Sequence, residues 1–235
     1  MDNTVGSLGM AITPYQKAMI IGTLLGDGSL DFVTSGKNFR LQILHSGKQK
    51  EYVMWKYKIL KSLVGTKPKM TSVFDERYNC SYSRVRFRTL CHPEFIKLRK
   101  IFYRGRRKII PMKISTLLTD PVSLAVWYMD DGKRRPDCRA VYLDTICFTT
   151  SEQKRLIHCL NNNFGIEGCS LHWNGEGYHI YIPYPSSLQF RKVIEPHIIP
   201  SMAYKLPPIT PERLSRRKKR QDRVEFQLYN TPVPR

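Results

Sequence analysis

The sequence predicts an α+β fold of two similar halves, each with the order αββαββα, around a central pair of packed helices. Three observations carry this prediction. An apolar helix ending in Asp-Gly occurs twice, with Asp27 and Asp131 separated by 104 residues. A Lys-aliphatic-Pro segment follows each acid, starting at Lys108 and Lys205, 81 and 74 residues further on. Between these points, apolar and polar residues alternate as in half-buried strands.

The first half begins with a helix over 13–27. Thr13 is a favourable N-cap residue, and Pro14 suits the first helical position. Gly22 and Gly26 lie four residues apart on one face, where they would let a neighbouring backbone approach closely. The elements predicted next are strands over 29–33 and 38–44 around a turn at 35–37, a helix over 51–63, an extended segment from Val73, a strand over 82–90 and a helix over 93–102.

The second half repeats this order. Its predicted elements are a helix over 118–131, a strand over 141–148, a helix over 151–164, a strand over 178–182 and a helix over 186–194. We therefore divide the chain into a first half at 13–104, a linker at 105–119, a second half at 120–209 and a basic tail at 210–235.

The composition favours a nucleic-acid partner. Among 235 residues, Lys and Arg number 39 and Asp and Glu number 19, which gives a formal net charge of +20. So large a charge repels itself unless an acidic partner neutralises it. Hydrophobic residues make up 41%, enough for a packed core, but no apolar run reaches the roughly 20 residues of a membrane span. Residues 1–12 show no basic region leading into an apolar stretch, so we expect no secretory signal.

The six cysteines are expected to be free thiols in a reducing compartment. They form no C-x-x-C pair, and a chain of this size does not need a disulfide framework. The alternative is a zinc site built from Cys159, Cys169, His158 and His172, whose spacing fits no common ligand pattern.

The two helix ends carry the most specific motif. They read IIGTLLGDG over 20–28 and LAVWYMDDG over 124–132. In these residues the chain resembles the LAGLIDADG homing endonucleases, in the form that carries both motifs on one chain. The resemblance spans residues 13–208, including the YKLP segment at 204–207 that members similar to the yeast mitochondrial intron enzyme show near their end. The chain departs from the motif at Leu25 and Met129, which replace an acid, and at Val126, which replaces the first glycine.

The residues also give a physical reason for the motif. If the two helices pack side by side, their terminal acids meet, and carboxylates held together repel unless a cation joins them. Hard oxygen ligands suit Mg²⁺, with Mn²⁺ as the alternative. The resemblance implies that Asp27 and Asp131 bind this metal. Gly26 and Asp130 complete the candidate metal site, although Asp130 lies about 100° around the helix from Asp131 and cannot point the same way.

Three further residues are candidates for catalysis. Lys108 and Lys205 hold matching positions in the two halves, and the resemblance implies that they lie near the scissile phosphates. The alternative is that each is one phosphate-contacting lysine among many. Gln42 resembles the polar residue that helps to position water, but its counterpart near Thr145 is poorly matched. A base-contacting or solvent-facing Gln is an equally good interpretation.

The outer faces of the two sheets are the candidate DNA surface. Alternation places three arginines of one strand on the same face, and the major groove admits a β-ribbon. The candidate DNA-binding residues are Arg40, Gln42, Arg84, Arg86, Arg88, His179 and Tyr181. The alternative for the arginine strand is a solvated sheet edge. The basic run at 216–220 is expected to add sequence-independent affinity, with a nuclear localisation signal as the alternative.

The leading hypothesis is a monomeric, metal-dependent, site-specific DNA endonuclease. The resemblance implies antiparallel sheets that form a DNA-binding saddle, cleavage of both strands across the minor groove, and 3′ overhangs at a long, asymmetric target. It also implies an intron-encoded protein of a mitochondrion or chloroplast. The alternatives are an RNA-splicing maturase, whose partner is the host intron RNA, and a DNA-binding regulator without catalysis, which explains the charge but not the paired acids.

Overall fold

The chain folds into two αββαββα halves joined by a short hairpin. The computed structural model describes residues 11–33, 38–77 and 79–209. The first half comprises α1 (Pro14–Leu25), β1 (Ser29–Phe32), β2 (Phe39–Ser46), α2 (Lys50–Ile59), β3 (Lys69–Asp75), β4 (Cys80–Arg88) and α3 (Pro93–Phe102). The hairpin is formed by β5 (Tyr103–Arg104) and β6 (Arg107–Lys108). The second half comprises α4 (Pro121–Asp131), β7 (Gly132–Arg134), β8 (Val141–Leu143), α5 (Thr150–Phe164), β9 (Ser170–Trp173), β10 (Tyr178–Ile182) and α6 (Ser186–Ile194).

Each half contains one four-stranded antiparallel sheet, and the two sheets have the same strand order. The first is ordered β1-β2-β4-β3 and the second β7-β8-β10-β9. Burial alternates along β2, with Leu41 and Ile43 buried and Arg40 and Gln42 half-buried on the opposite face. The α+β class and the internal duplication predicted from the sequence are confirmed.

The two motif helices, α1 and α4, pack side by side at the centre of one continuous core. A Cβ atom added at Gly22 would lie 2.3 Å from the Ser123 carbonyl oxygen, and one added at Gly26 would lie 2.4 Å from the Asp130 Cβ. The Ser123 hydroxyl donates a hydrogen bond of 2.8 Å to the Ala18 carbonyl across the same interface. The predicted close approach at the two glycines is therefore confirmed.

The prediction of a strand over 141–148 is wrong beyond Leu143. β8 ends there, and the chain turns as the Asp144 N–H donates to the Asp131 carbonyl at 3.0 Å. The sequence did not predict β7 or β9, because β7 has only three residues and β9 only four, none of them fully buried. The second motif helix begins at Pro121 rather than at 118, since the Asp120 side chain accepts a hydrogen bond from the Val122 N–H and caps it.

Some predictions concern residues outside the described ranges. These are the turn at 35–37 and the tail at 210–235 with its basic run. Within 11–33, 38–77 and 79–209, no helix is both long and apolar enough to cross a membrane. The division of the chain at 13–104 and 120–209 stays a prediction.

Candidate active site and nucleic-acid interface

Asp27 and Asp131 lie where the two motif helices end. Asp131 is the last residue of α4, and Asp27 comes just after α1, with its side chain 47% exposed. The Asp27 N–H lies 3.3 Å from a carboxylate oxygen of Asp130 on the other helix, which joins the two helix ends directly. The structure therefore brings the acids of both motifs to one place, as the packed helices predict.

The electrostatics of the two acids reflect this crowding. Burial raises the pKa of Asp131 to about 8, helped by the negative charges of Asp27 and Asp130. Burial and the charge of Asp130 also raise the pKa of Asp27. Carboxylates in this situation favour either a proton or a bound cation. The Asp131 carboxylate forms no hydrogen bond or ion pair with any residue in the described ranges.

Lys108 and Lys205 occupy matching places beneath the two helix ends. The Lys108 ammonium donates to the carbonyl oxygens of Gly26 and Gly28, at 2.7 and 2.8 Å. The Lys205 ammonium donates to the carbonyl oxygens of Met129 and Asp130, at 2.6 and 3.0 Å. Each lysine thus places a positive charge at the negative end of a helix dipole.

The pKa of each of these lysines is lowered by burial and raised by the nearby acids. For Lys108 the largest of the acidic contributions comes from Asp131, and for Lys205 it comes from Asp130. The two lysines predicted from their repeated position therefore lie in the electrostatic field of the paired acids.

The Asp130 carboxylate belongs to a buried ionic network. The Lys56 ammonium, whose side chain is fully buried, donates to both Asp130 oxygens at 2.8 and 3.0 Å. The Tyr52 hydroxyl donates to the same carboxylate at 2.7 Å. The Asp130 carboxylate is therefore already paired with a buried cation, and its place in a metal site stays a prediction. The Gly26 carbonyl is likewise engaged, by Lys108.

His45 is a site residue that the sequence analysis missed. It lies on the buried face of β2, with one ring nitrogen 3.3 Å from an Asp27 oxygen and the other 3.7 Å from an Asp130 oxygen. Burial and the positive charge of Lys56 lower the pKa of His45 to about 4, so the ring is neutral at pH 7. The sequence held one signal for it: His45 continues the alternation of Leu41 and Ile43, one residue beyond the predicted strand.

The acidic residues of the site fit a divalent cation. Asp27, His45 and Asp130 offer ligand atoms within 4.8 Å of one another, and they are the one such group of His, Cys, Asp or Glu found in the described part of the chain. Asp131 is not a member of this group, although the negative charge of Asp27 contributes to the raised pKa of Asp131. Hard oxygen ligands of this kind suit Mg²⁺, Mn²⁺ or Ca²⁺.

The cysteines take no part in such a group. All six are free; Cys159 is buried and Cys169 half-buried. The described residues therefore give no support to a zinc site built from these two cysteines and their neighbouring histidines.

Gln42 lies on the outer face of β2 and binds a neighbouring arginine. The Arg88 guanidinium donates to the Gln42 side-chain oxygen at 2.6 Å. The expected counterpart near Thr145 is wrong: Thr145 is fully buried, and the pairing of β7 with β8 places Tyr142 at the equivalent position. Gln42 therefore faces outward from the sheet, and both its catalytic role and its base-contacting role stay predictions.

The other candidate DNA-binding residues of the first half share the face of Gln42. Pairing of β2 with β4 places Gln42 opposite Arg88 and Ser46 opposite Arg84. Arg84 and Arg86 are exposed, while Val85 and Phe87 between them are buried. The sheet therefore presents one basic outer face, as the alternation predicts.

The outer face of the second sheet carries aromatic rings. His179 and Tyr181 alternate with the buried Ile180 and Ile182 in β10. Two further residues, Tyr142 and His172, pack against them, and the sequence analysis missed both. The ring centroids of His172 and Tyr181 are 4.1 Å apart, as are those of Tyr142 and His179.

The fold and the site define a two-repeat protein with paired acids beneath two antiparallel sheets. The chain belongs to the LAGLIDADG DNA endonuclease family, whose model matches residues 17–190. It is 36% identical over 211 residues to the DNA endonuclease I-ChuI of Chlamydomonas applanata, covering 84% of this chain and 96% of that protein. It is 30% identical over 192 residues to the cytochrome b mRNA maturase bI2 of Debaryomyces hansenii, covering 80% and 72%.

A solved structure shows the same fold. The homing endonuclease I-WcaI bound to its DNA recognition sequence matches with a TM-score of 0.77 and 28% sequence identity, covering 84% of this chain and 88% of that one. The family resemblance and the fold class stated from the sequence are both confirmed.

Proposed function

We propose that this protein is an intron-encoded homing endonuclease that hydrolyses one phosphodiester bond in each strand of a long, asymmetric DNA target. The observation that carries this proposal is the meeting of two acids, one from each repeat, with one lysine beneath each helix end. A relative named a DNA endonuclease, at 36% identity, supports it. The two halves would straddle the duplex as a monomer and cut across the minor groove, leaving 3′ overhangs.

The proposed roles follow from the contacts of each residue. Asp27 and Asp131 would hold a divalent cation, for which we propose Mg²⁺. Such an ion, when bound, polarises the phosphate and lowers the pKa of a bound water. Lys108 and Lys205 would offset the charge that develops on the phosphates. The neutral ring of His45 lies between the carboxylates of Asp27 and Asp130 and would hold the Asp27 side chain in position. We further propose that the DNA lies across the outer faces of both sheets.

Neutralising either acid tests the nuclease proposal. A duplex cut by the protein is first isolated from a randomised DNA library, or taken from the intronless allele of the host gene. With Mg²⁺, Asp27→Asn and Asp131→Asn should each lower the cleavage rate at least about 100-fold. Duplex binding should persist, because removing a negative charge does not weaken attraction to phosphate.

The matched control is Glu94→Gln, which removes an acid from an exposed ion pair on α3 and should leave cleavage unchanged. Cleavage by both Asn variants at the normal rate would overturn the proposal.

The second candidate function is an RNA-splicing maturase, supported by the maturase name of the Debaryomyces hansenii relative. It would take the host intron RNA as its partner. The retention of both motif acids favours the nuclease, since a pair of carboxylates suits the metal-assisted hydrolysis of a phosphodiester. Tight binding and splicing of the host intron, with no cleavage of any DNA duplex in Mg²⁺ or Mn²⁺, would decide for the maturase. The mitochondrial or chloroplast location stays a prediction.

A further inference from the structure

Strand pairing fixes which positions of the two sheets are equivalent. Gly28 and Gly132 follow the two motif acids, so the residues after them, Ser29 and Lys133, correspond. Ser29 pairs with Gln42, and Lys133 pairs with Tyr142. Tyr142 therefore stands in the second sheet where Gln42 stands in the first.

The same register extends the comparison to the next two strands. Gln42 pairs with Arg88, whereas Tyr142 pairs with Tyr181. One strand further out, Arg86 pairs with Lys69, whereas His179 pairs with His172. At four equivalent outward positions, the polar or charged side chain of the first sheet is thus replaced by an aromatic ring in the second.

The first outer face is strongly positive. Arg84, Arg86 and Lys69 are exposed, and the half-buried Arg88 has the Asp31 carboxylate 3.7 Å away. Arginine binds phosphate oxygens and can donate two hydrogen bonds to the O6 and N7 atoms of one guanine.

The four rings of the second sheet are already packed against one another. The His172 and Tyr181 rings are stacked, with 16° between their planes, and the Tyr142 and Tyr181 centroids are 5.2 Å apart. Arg135, which donates to the Tyr142 hydroxyl at 3.0 Å, is itself paired with Asp137. Lys133 is an exposed charge beside this cluster. A preassembled ring surface contacts apolar groups with little loss of side-chain entropy.

We propose that the two sheets recognise chemically different half-sites. The arginines of the first sheet bind phosphates and guanines, and the ring cluster of the second sheet packs against thymine C5-methyl groups in the major groove. The thymine methyl is the apolar group that the major groove offers to such a surface. This inference rests on the proposed function and specifies the substrate of its second sheet.

Replacing thymine by deoxyuridine tests the inference, since it removes the methyl group and keeps the base pair. The probe is the duplex isolated from the randomised library, with uracil introduced in one half-site at a time. We expect binding to weaken about threefold or more for each contacted thymine in one half-site only. Tyr181→Ala should abolish that sensitivity, and Tyr181→Phe, which keeps the ring, should retain it.

Salt dependence provides a second, independent measurement. Arg86→Ala should make the dependence of affinity on salt shallower by about one phosphate contact, whereas His179→Ala at the equivalent position should leave the slope unchanged. Melting temperatures of all four variants check that each one folds.

Two sets of results would overturn the inference and are distinguishable from a failure of the proposed function. If the protein cleaves the duplex but uracil acts equally in both half-sites or in neither, the inference is wrong and the nuclease proposal stands. The same holds if Tyr181→Ala weakens binding to single-stranded RNA but not to the duplex. If the protein neither binds nor cuts any duplex, the proposed function itself is wrong.

Discussion

The Asp131 carboxyl group is costly to ionise in the folded chain. Its pKa is raised to about 8 by burial and by the charges of Asp27 and Asp130. An unfolded chain would bind that proton only up to about pH 4. Between these values the native state holds more protons than the unfolded state, so stability falls as pH rises. A cation bound between the acids would remove this cost.

We therefore expect the stability advantage of Asp131→Asn over the original protein to be much larger at pH 8 than at pH 5, in buffer free of divalent ions. Discounted for partial exposure, the difference at pH 8 is on the order of 2 kcal/mol, or about 4–8 °C in melting temperature. Added Mg²⁺ should reduce this difference in melting temperature, because it should stabilise the original protein. Melting curves recorded at both pH values measure this, and a difference independent of pH would contradict it.

Lys56 and Asp130 form an ion pair shielded from water. The ammonium and the carboxylate are both fully buried, and they join α2 of the first half to α4 of the second. Breaking such a pair leaves one charge buried without a partner, which costs far more than the pair contributes.

Lys56→Met should accordingly lower the free energy of unfolding by about 3–5 kcal/mol. The double variant Lys56→Met with Asp130→Asn, which removes both charges, should recover a large part of that loss. Urea denaturation of the single and double variants checks this. Equal destabilisation in both would show that lost packing, rather than the orphaned charge, is responsible.

The repeat made part of this site predictable. Asp27, Asp131, Lys108 and Lys205 could be found because the second half repeats their spacing. His45 and Lys56 could not, because their partner Asp130 lies in the other half, and no local pattern reports a contact over such a sequence separation.

At the scale of elements, the contact between α1 and α4 depends on glycine. The Val126 side chain packs over Gly22, and the Asp130 side chain packs over Gly26. In a solvent-facing helix, Gly→Ala would stabilise by about 1 kcal/mol. At Gly22 the added methyl would meet backbone at 2.3 Å, which an adjustment of one side chain cannot relieve.

Gly22→Ala should therefore destabilise the protein by about 1–3 kcal/mol or more, against the usual preference of a helix. The matched control is Gly65→Ala, whose new Cβ would lie 3.2 Å from a methyl of the flexible Leu90 side chain. We expect that control to stay within about 1 kcal/mol of the original. Thermal unfolding compares the two, and similar losses would refute a special role for Gly22.

Local signals predicted most elements but not all their limits. Thr13 marked the start of α1, where it forms a capping box, whereas the Thr149 capping box of α5 was not predicted and the helix begins at Thr150 rather than at 151. Strands as short as β7 and β8 are held by their neighbours in the sheet rather than by their own composition. Their ends could not be predicted from the sequence.

On the scale of the whole molecule, the net charge of +20 governs the encounter with DNA. Arg84 and Arg86 contribute exposed positive charge to the outer face of the first sheet. For about 6–10 phosphate contacts, affinity should fall about 10³–10⁵-fold between 50 and 200 mM salt. Fluorescence anisotropy with a labelled duplex measures this, and an affinity indifferent to salt would rule out electrostatic binding.

The unequal faces of the two central helices also govern how the halves recognise each other. In α1, Gly22 and Gly26 leave space on the helix surface. In α4, the side chains of Val126 and Asp130 fill that space. Two α1 helices packed on their glycine faces would leave gaps. Two α4 helices packed on the equivalent faces would clash at Val126 and bring two Asp130 carboxylates together. If the chain were severed in its linker, the fragments should therefore reassemble as a mixed pair, and neither fragment should form a stable homodimer.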